Sequence, residues 1–238
     1  MADIIEWPVG LLSPRACRPT LVPFTRSGGP SLGGVERVTR TDAGHWEITL
    51  DGVPVRGTAA ARTLDAIAAH CGGRTGYVVV PAWSFDTAPY ASGRFEPPVI
   101  VDHDDGTGFS DGTGYLQSAI AVTLAATVAI GDTRLTLHSV KAAEDLVGVR
   151  FSHNHALYRT GRLIDLDGED WTVAIEPPLR AAIPTGSDLE FDRPTCLCRL
   201  ATDTALARGT IWKGNDELSV SFVEATEYWN DLAIGADV

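Results

Sequence analysis

The stretch VGVRFSHNHALYRTGRLIDLDGEDWTVAIEPPLRAAIPTGSDLEFDRPTCLCRLA, residues 147–201, decides the fold class. Short runs in which apolar and polar residues alternate are separated by Gly, Asp and Pro, the punctuation of a β-meander. Strands are expected around Arg150 and over residues 158–166, 171–175, 189–191 and 196–200. The alternation in the last of them places the thiols of Cys196 and Cys198 on one face. The run LIDLDGEDW, residues 163–171, reads as a hairpin whose turn carries solvated charge.

Upstream, GHWEITLDG at residues 44–52 alternates Trp46, Ile48 and Leu50 with His45, Glu47 and Thr49, the period of a half-buried strand. The pattern then changes. TAAARTLDAIAAH, residues 58–70, is Ala-rich, sets Leu64, Ile67 and Ala68 at helical spacing and stops at Gly72 and Gly73, so one helix is expected there. YVVVP opens a strand that gives way to a long segment rich in Pro, Gly, Asp and aromatic residues, ending at Tyr115. Long ordered loops of this kind carry contacts more often than core. A second β series begins at AIAVTL, with Gly131 and Asp132 as its first turn. It closes with strands over 210–212 and 218–224 around the KGND turn. The expected fold is mainly β, with β-sandwich or barrel units and one short helix. Two units are expected: residues 1–104 with the helix (about 58–71) and the loop arm, and residues 105–238 as a β-barrel or sandwich.

Composition narrows the function. The 238 residues carry a formal net charge of −12 and a pI near 4.8, the wrong sign for wrapping a phosphate backbone. Sequence-specific nucleic-acid binding is therefore not expected, whereas an acidic surface suits a wall past which nucleic acid slides without sticking. Lysine occurs only at Lys141 and Lys213, with Arg, Ala and Gly abundant, the composition of a GC-rich coding sequence. The start MADIIEWPVG lacks the basic end and apolar core of a signal peptide, and no apolar run is long enough to span a bilayer, so a soluble product made in a cytoplasm is expected. Cys17, Cys71, Cys196 and Cys198 show no metal-binding spacing.

Each arrangement that resembles a chemical site has a plainer reading. HDDGTGFSDGTGY, residues 103–115, gathers acids among glycines but lacks the closing Glu of a calcium loop, and it reads as two Gly-supported turns. His153 and His155 alternate on one side of a strand without a third ligand at a diagnostic spacing. Asp165, Asp167, Glu169 and Asp170 supply a hydrolase pair only if two of them face each other across a cleft. There is no GxSxG elbow and no phosphate-binding loop. The chain is thus expected to be no enzyme and to need no cofactor or metal. The six tryptophans are spread out, as core or interface anchors.

Taken in order, WPVGLLSPR, GHWEITL, HDDGTGFSDGTGY, LVGVRFS followed by HALYRTGRL, and IEPPLRAAIPTGSDLEFDRPTCLCRLA resemble a family of tailed-bacteriophage tail structural proteins, of the distal tail protein or tail-tip adaptor kind. The resemblance spans most of the chain, and the last block is its most specific part. It implies a virion protein assembled in the bacterial host cytoplasm as a ring, usually a hexamer, between the tail tube protein and the hub or baseplate proteins, with a channel for DNA. A ring built head to tail closes when its rotation permits. Its subunit contacts are then expected in the loop of residues 81–115, through Trp83, Tyr90, Arg94, Phe95 and Tyr115, and in the terminal segment 224–238, through Tyr228 and Trp229. The alternative is a carbohydrate-binding module of a tail tip, recognising a host surface glycan through exposed aromatic rings.

Overall fold

The computed structural model describes residues 3–101, 115–209 and 216–235. The protein is mainly β. Its first strands are β1 (Ile4–Glu6), β2 (Ala16–Pro30) and β3 (Glu36–Val55), followed by helix α1 (Gly57–Cys71), strand β4 (Tyr77–Pro81) and a small ribbon of β5 (Val99–Val101) and β6 (Tyr115–Gln117). The meander then runs through β7 (Ala121–Leu124), β8 (Arg134–Lys141), β9 (Arg150–His153), β10 (Ala156–Asp167), β11 (Asp170–Glu176) and β12 (Asp188–Leu189). Strands β13 (Thr195–Leu200) and β14 (Asp216–Glu224) and helix α2 (Thr226–Ala233) complete it.

The strands form two six-stranded sheets. The first has the order β1-β4-β13-β14-β3-β2 and the second β12-β7-β8-β11-β10-β9. The ends of the second sheet meet at Ser152 and Glu190, whose backbones exchange two hydrogen bonds of 2.9 Å, so it curls into a nearly closed barrel. Val122, Leu124, Leu135, Leu137, Phe151, Tyr158, Val173, Ile175 and Phe191 fill it.

The first sheet is covered on both faces, and the alternation of its strands says how. Val78, Val80, Cys196 and Cys198 point to α1, where Ala60, Leu64, Ile67 and Cys71 form the buried stripe. Val79 and Leu197, one residue out of step, join the barrel core instead. Both thiols of CLC therefore share a face, as the strand period requires, and all four cysteines are free. Helix α1 ends where Gly72 takes a left-handed φ of 53° and its N–H returns to the Ala68 carbonyl at 3.1 Å.

Three features differ from the sequence reading. A division near residue 104 does not match the sheets, because β13 and β14 lie in the middle of the first one, with β13 pairing Thr195 through Cys198 against Pro81 through Val78. Pairing across more than a hundred residues leaves no local periodicity. A second helix, α2, forms in the terminal segment expected as a subunit contact. His153 and His155 do not alternate on a strand: Asn154 and His155, at φ 48° and 68°, form the two-residue loop between β9 and β10, the pattern of a type I′ turn. The acidic loop 102–114 and the expected strand 210–212 with most of its KGND turn lie outside the described residues.

Candidate functional site

Beyond β4 the chain makes a loop whose shape comes from a few buried polar contacts. Ser84 is buried and donates its hydroxyl to the Phe191 carbonyl at 3.1 Å, and the guanidinium of Arg150 donates to the Trp83 carbonyl at 2.7 Å. Tyr90 is also buried, and its hydroxyl donates to the carboxylate of buried Asp192. Burial first, and then that hydrogen bond, push the Tyr90 phenol far above its ordinary range. Asp192 is held in turn by Glu190, which accepts from the backbone N–H groups of Asp192 and Arg193 at 2.9 and 2.8 Å.

The loop so pinned carries a ledge of rings. Trp83 and Phe85 lie 5.6 Å apart at an interplanar angle of 30°, Phe85 meets Phe95 edge to face at 5.4 Å, and Phe95 meets Tyr90 edge to face at 5.7 Å. Phe85 is 42% and Phe95 50% exposed. Beside the ledge a cleft of about 290 Å³ is lined by Glu6, Trp7, Pro81, Trp83, Phe85 and Arg193. Four of the expected anchors thus fall in one loop, where they divide by role. Trp83 and Phe95 belong to the ledge and Arg94 is exposed beside it. Tyr90 offers no surface, because it faces inward and ties the loop to Asp192. Phe85, which the sequence reading passed over, is the ring that links Trp83 to Phe95. Tyr115 stands in β6, opposite Val101.

The terminal anchors are likewise turned inward. Trp229 is 5% exposed and closes the barrel core, while half-buried Tyr228 packs edge to face on Tyr77 at 5.5 Å. This eight-residue amphipathic helix docks by its two rings, Trp229 buried and Tyr228 half-buried, and that docking uses the aromatic surface expected to face a neighbour. What α2 leaves exposed is Leu232 and Ile234. Below it, a cavity of about 230 Å³ is lined by His153, Asn154, His155, Tyr158, Tyr228 and Trp229. Burial lowers the pKa of both histidines, and His155 pairs with the Thr195 hydroxyl at 2.9 Å.

The two sheets are riveted at one buried node. Arg180, from the PPLR motif, donates from Nε and Nη2 to the two carboxylate oxygens of Glu224 at 2.8 and 3.0 Å, and from Nη2 to the Gly44 carbonyl at 2.7 Å. Glu224 also accepts the Trp46 backbone N–H at 2.9 Å, and the indole N–H of Trp46 donates to the Leu157 carbonyl at 2.8 Å. The Arg180 backbone N–H donates to the Tyr158 hydroxyl at 3.0 Å. Every polar group of this node that is withdrawn from water has a partner, the condition under which a buried ion pair is tolerated.

The feature that the sequence reading placed elsewhere is the projecting arm. Strands β2 and β3 continue past the sheet as a two-stranded ribbon, paired from Phe24 and Thr41 to Pro30 and Glu36. Phe24, Leu32, Val35 and Val38 are 43%, 112%, 63% and 59% exposed. Arg26 lies over the Phe24 ring at 5.5 Å. SGGPSLGG signals the turn at its tip, but nothing local says that the turn stands about 25 Å from the body, the length of eight extended residues.

The acids 165, 167, 169 and 170 surround the β10–β11 turn, with Gly168 at φ 62°, and Asp170 pairs with His138 at 2.7 Å. They surround an exposed hairpin turn. Among the described residues no group of three or more His, Cys, Asp or Glu is placed to hold a metal ion, and no helix is long and apolar enough to cross a membrane. No protein-family model and no curated protein matches the chain.

Proposed function

We propose that this protein is a structural component of a bacteriophage tail, a ring-forming adaptor of the distal tail kind that joins the tail tube to the hub or baseplate and leaves a channel for DNA. The observation that carries the reading is the β2–β3 ribbon from Phe24 to Thr41, whose apolar side chains Phe24, Leu32, Val35 and Val38 stay exposed among the described residues. An isolated hairpin is marginal in water, so a ribbon of this length is worth building only against a partner. The order of sequence motifs supplies the tail context. The net charge of −12 suits a lumen through which DNA slides. In this reading the Trp83–Phe85–Phe95 ledge and the exposed end of α2 are further contact surfaces, and the protein has no catalytic role.

The test is the mass of the purified protein across a concentration series by light scattering, with negative-stain imaging of the large species. A closed ring with a central hole is expected. A chain that stays monomeric, and that antibodies fail to find on purified tails, overturns the reading.

A second reading draws on one observation. Trp83 and Phe85 are tilted by only 30° beside a cleft that also presents Glu6 and Arg193, an arrangement on which a sugar ring stacks while its hydroxyls are hydrogen-bonded. A carbohydrate-binding module predicts that monomeric protein binds a bacterial surface glycan and that Trp83→Ala abolishes binding. An array of such glycans that retains none of the protein excludes it.

A further inference from the structure

The arm has two edges, and they differ. Its β2 edge carries Pro23 and Pro30, which cannot donate to a further strand. Its β3 edge, residues 36–45, has no proline, and among the described residues it pairs only with β2, because the β14 ladder ends opposite Glu47. A second open edge lies on the barrel. Strand β10 is twelve residues long while its neighbour β9 has four, so, among the described residues, 161–167 pair with β11 alone. That edge exposes Leu163, Ile164 and Leu166 by 40%, 38% and 49%. Unpaired apolar edges invite another strand and are ordinarily blocked.

Charge decides between pairing like edges and pairing unlike ones. In a chain of net charge −12 the arm runs the other way, with Arg26, Arg37 and Arg40 against Glu36 and Asp42. Glu36 is already engaged by the Ser27 hydroxyl, while Arg26 and Arg37 are exposed. The β10 hairpin carries Asp165, Asp167, Glu169 and Asp170 against Arg162, and Asp165, Asp167 and Glu169 are exposed. Arm against arm and hairpin against hairpin both repel; arm against hairpin attracts.

We propose that the β3 edge of the arm of one copy adds as a strand to the open β10 edge of a second copy, with Phe24, Leu32, Val35 and Val38 covering Leu163, Ile164 and Leu166 and with Arg26 and Arg37 facing Asp165 and Asp167. The contact is heterologous, since the patch that gives differs from the patch that receives, and it propagates from copy to copy until it closes. It deepens the ring reading and rests on it.

Two charge-reversed variants test it, R26E/R37E on the arm and D165K/D167K on the hairpin, all four positions exposed and outside both cores. Near-ultraviolet circular dichroism should match the wild type. Each variant alone should run as the 25.3 kDa monomer, and an equimolar mixture, in which each arm meets a hairpin of opposite sign, should regain the wild-type mass. Wild-type mass for either variant alone, or a mixture that stays monomeric, overturns the docking while leaving ring formation standing. A wild type monomeric at every concentration, and absent from purified tails, overturns both. Protection from hydrogen exchange, in the monomer, of those amides of residues 36–45 that are not bonded to β2, the sign of an arm edge covered by its own chain, overturns the docking as well.

Discussion

The node at Arg180 and the ribbon beyond Val22 are built from the same strand, β3, and could hardly be more different. At Trp46 the strand is buried and its N–H is held by Glu224, which Arg180 grips at two points. A few residues earlier in the chain the same strand pairs with β2 alone and its apolar side chains meet water. The body satisfies itself and the arm does not. Stability should therefore reside in the first region and assembly in the second, and substitutions can separate the two.

The largest effect is expected at the node. Glu224→Ala leaves the Arg180 guanidinium, the Trp46 N–H and the seam between sheets without their acceptor, and should cost about 3–5 kcal/mol, the usual penalty for breaking a buried pair. Denaturant unfolding followed by tryptophan fluorescence measures it. The double variant R180M/E224L, which removes both charges, should lose less than Glu224→Ala alone; an equal or larger loss would mean that the node's charge pairing is not what makes Glu224 matter. For the same reason, removing residues 224–238 should destabilise the body rather than merely trim a contact surface.

Next comes the tie beneath the aromatic ledge. Tyr90→Phe removes the hydroxyl that donates to buried Asp192 and should cost roughly 1–3 kcal/mol, the price of an unsatisfied buried acceptor. Phe95→Ala at the exposed rim should cost much less. If the two are equal in thermal unfolding, the ledge is not held from below as the hydrogen bond to Asp192 implies.

The arm should be nearly silent in the same assay. Val38→Ser, at an exposed ribbon site, is expected to change unfolding free energy by about 0.5 kcal/mol or less, yet to lower the oligomer mass in light scattering. A large loss of stability there would erase the contrast between body and arm.

The smallest effect is a pH dependence. His153 and His155 have folded-state pKa values depressed by burial from the usual 6.5. The unfolded chain therefore binds their protons first, so this contribution is fully present above pH 6.5 and is lost as pH falls from there toward the folded values. Replacing both with Gln should flatten the stability profile in the window just below pH 6.5. An unchanged slope would assign it to other groups.

Much of the body was legible in residue order because its signals are local. The alternation of Trp46, Ile48 and Leu50, the 3.6-residue stripe that ends at Gly72, and the shared face of Cys196 and Cys198 each need only a handful of neighbours to be read. Charge around Gly168 marked its hairpin for the same reason. Of the surface, the loop holding Trp83, Arg94 and Phe95 was found from its composition, while the inward turn of Tyr90 and Trp229 was not. An aromatic ring reads alike whether it faces a partner or its own core, and the partners of these two rings, Asp192 and the barrel, lie far away or in another sheet.

Sequence by itself thus determined that this chain is mainly β and strongly acidic, and where its first helix and the strands of its meander run, because periodicity and net charge are properties of neighbouring residues or of simple sums. Tertiary structure alone decided that β13 and β14 complete the first sheet, that the second sheet curls into a barrel, that Arg180 meets Glu224, and that β2 and β3 outrun their neighbours to become an arm. Each of those depends on which distant strand stops where, and strand lengths are compared only when the strands lie side by side.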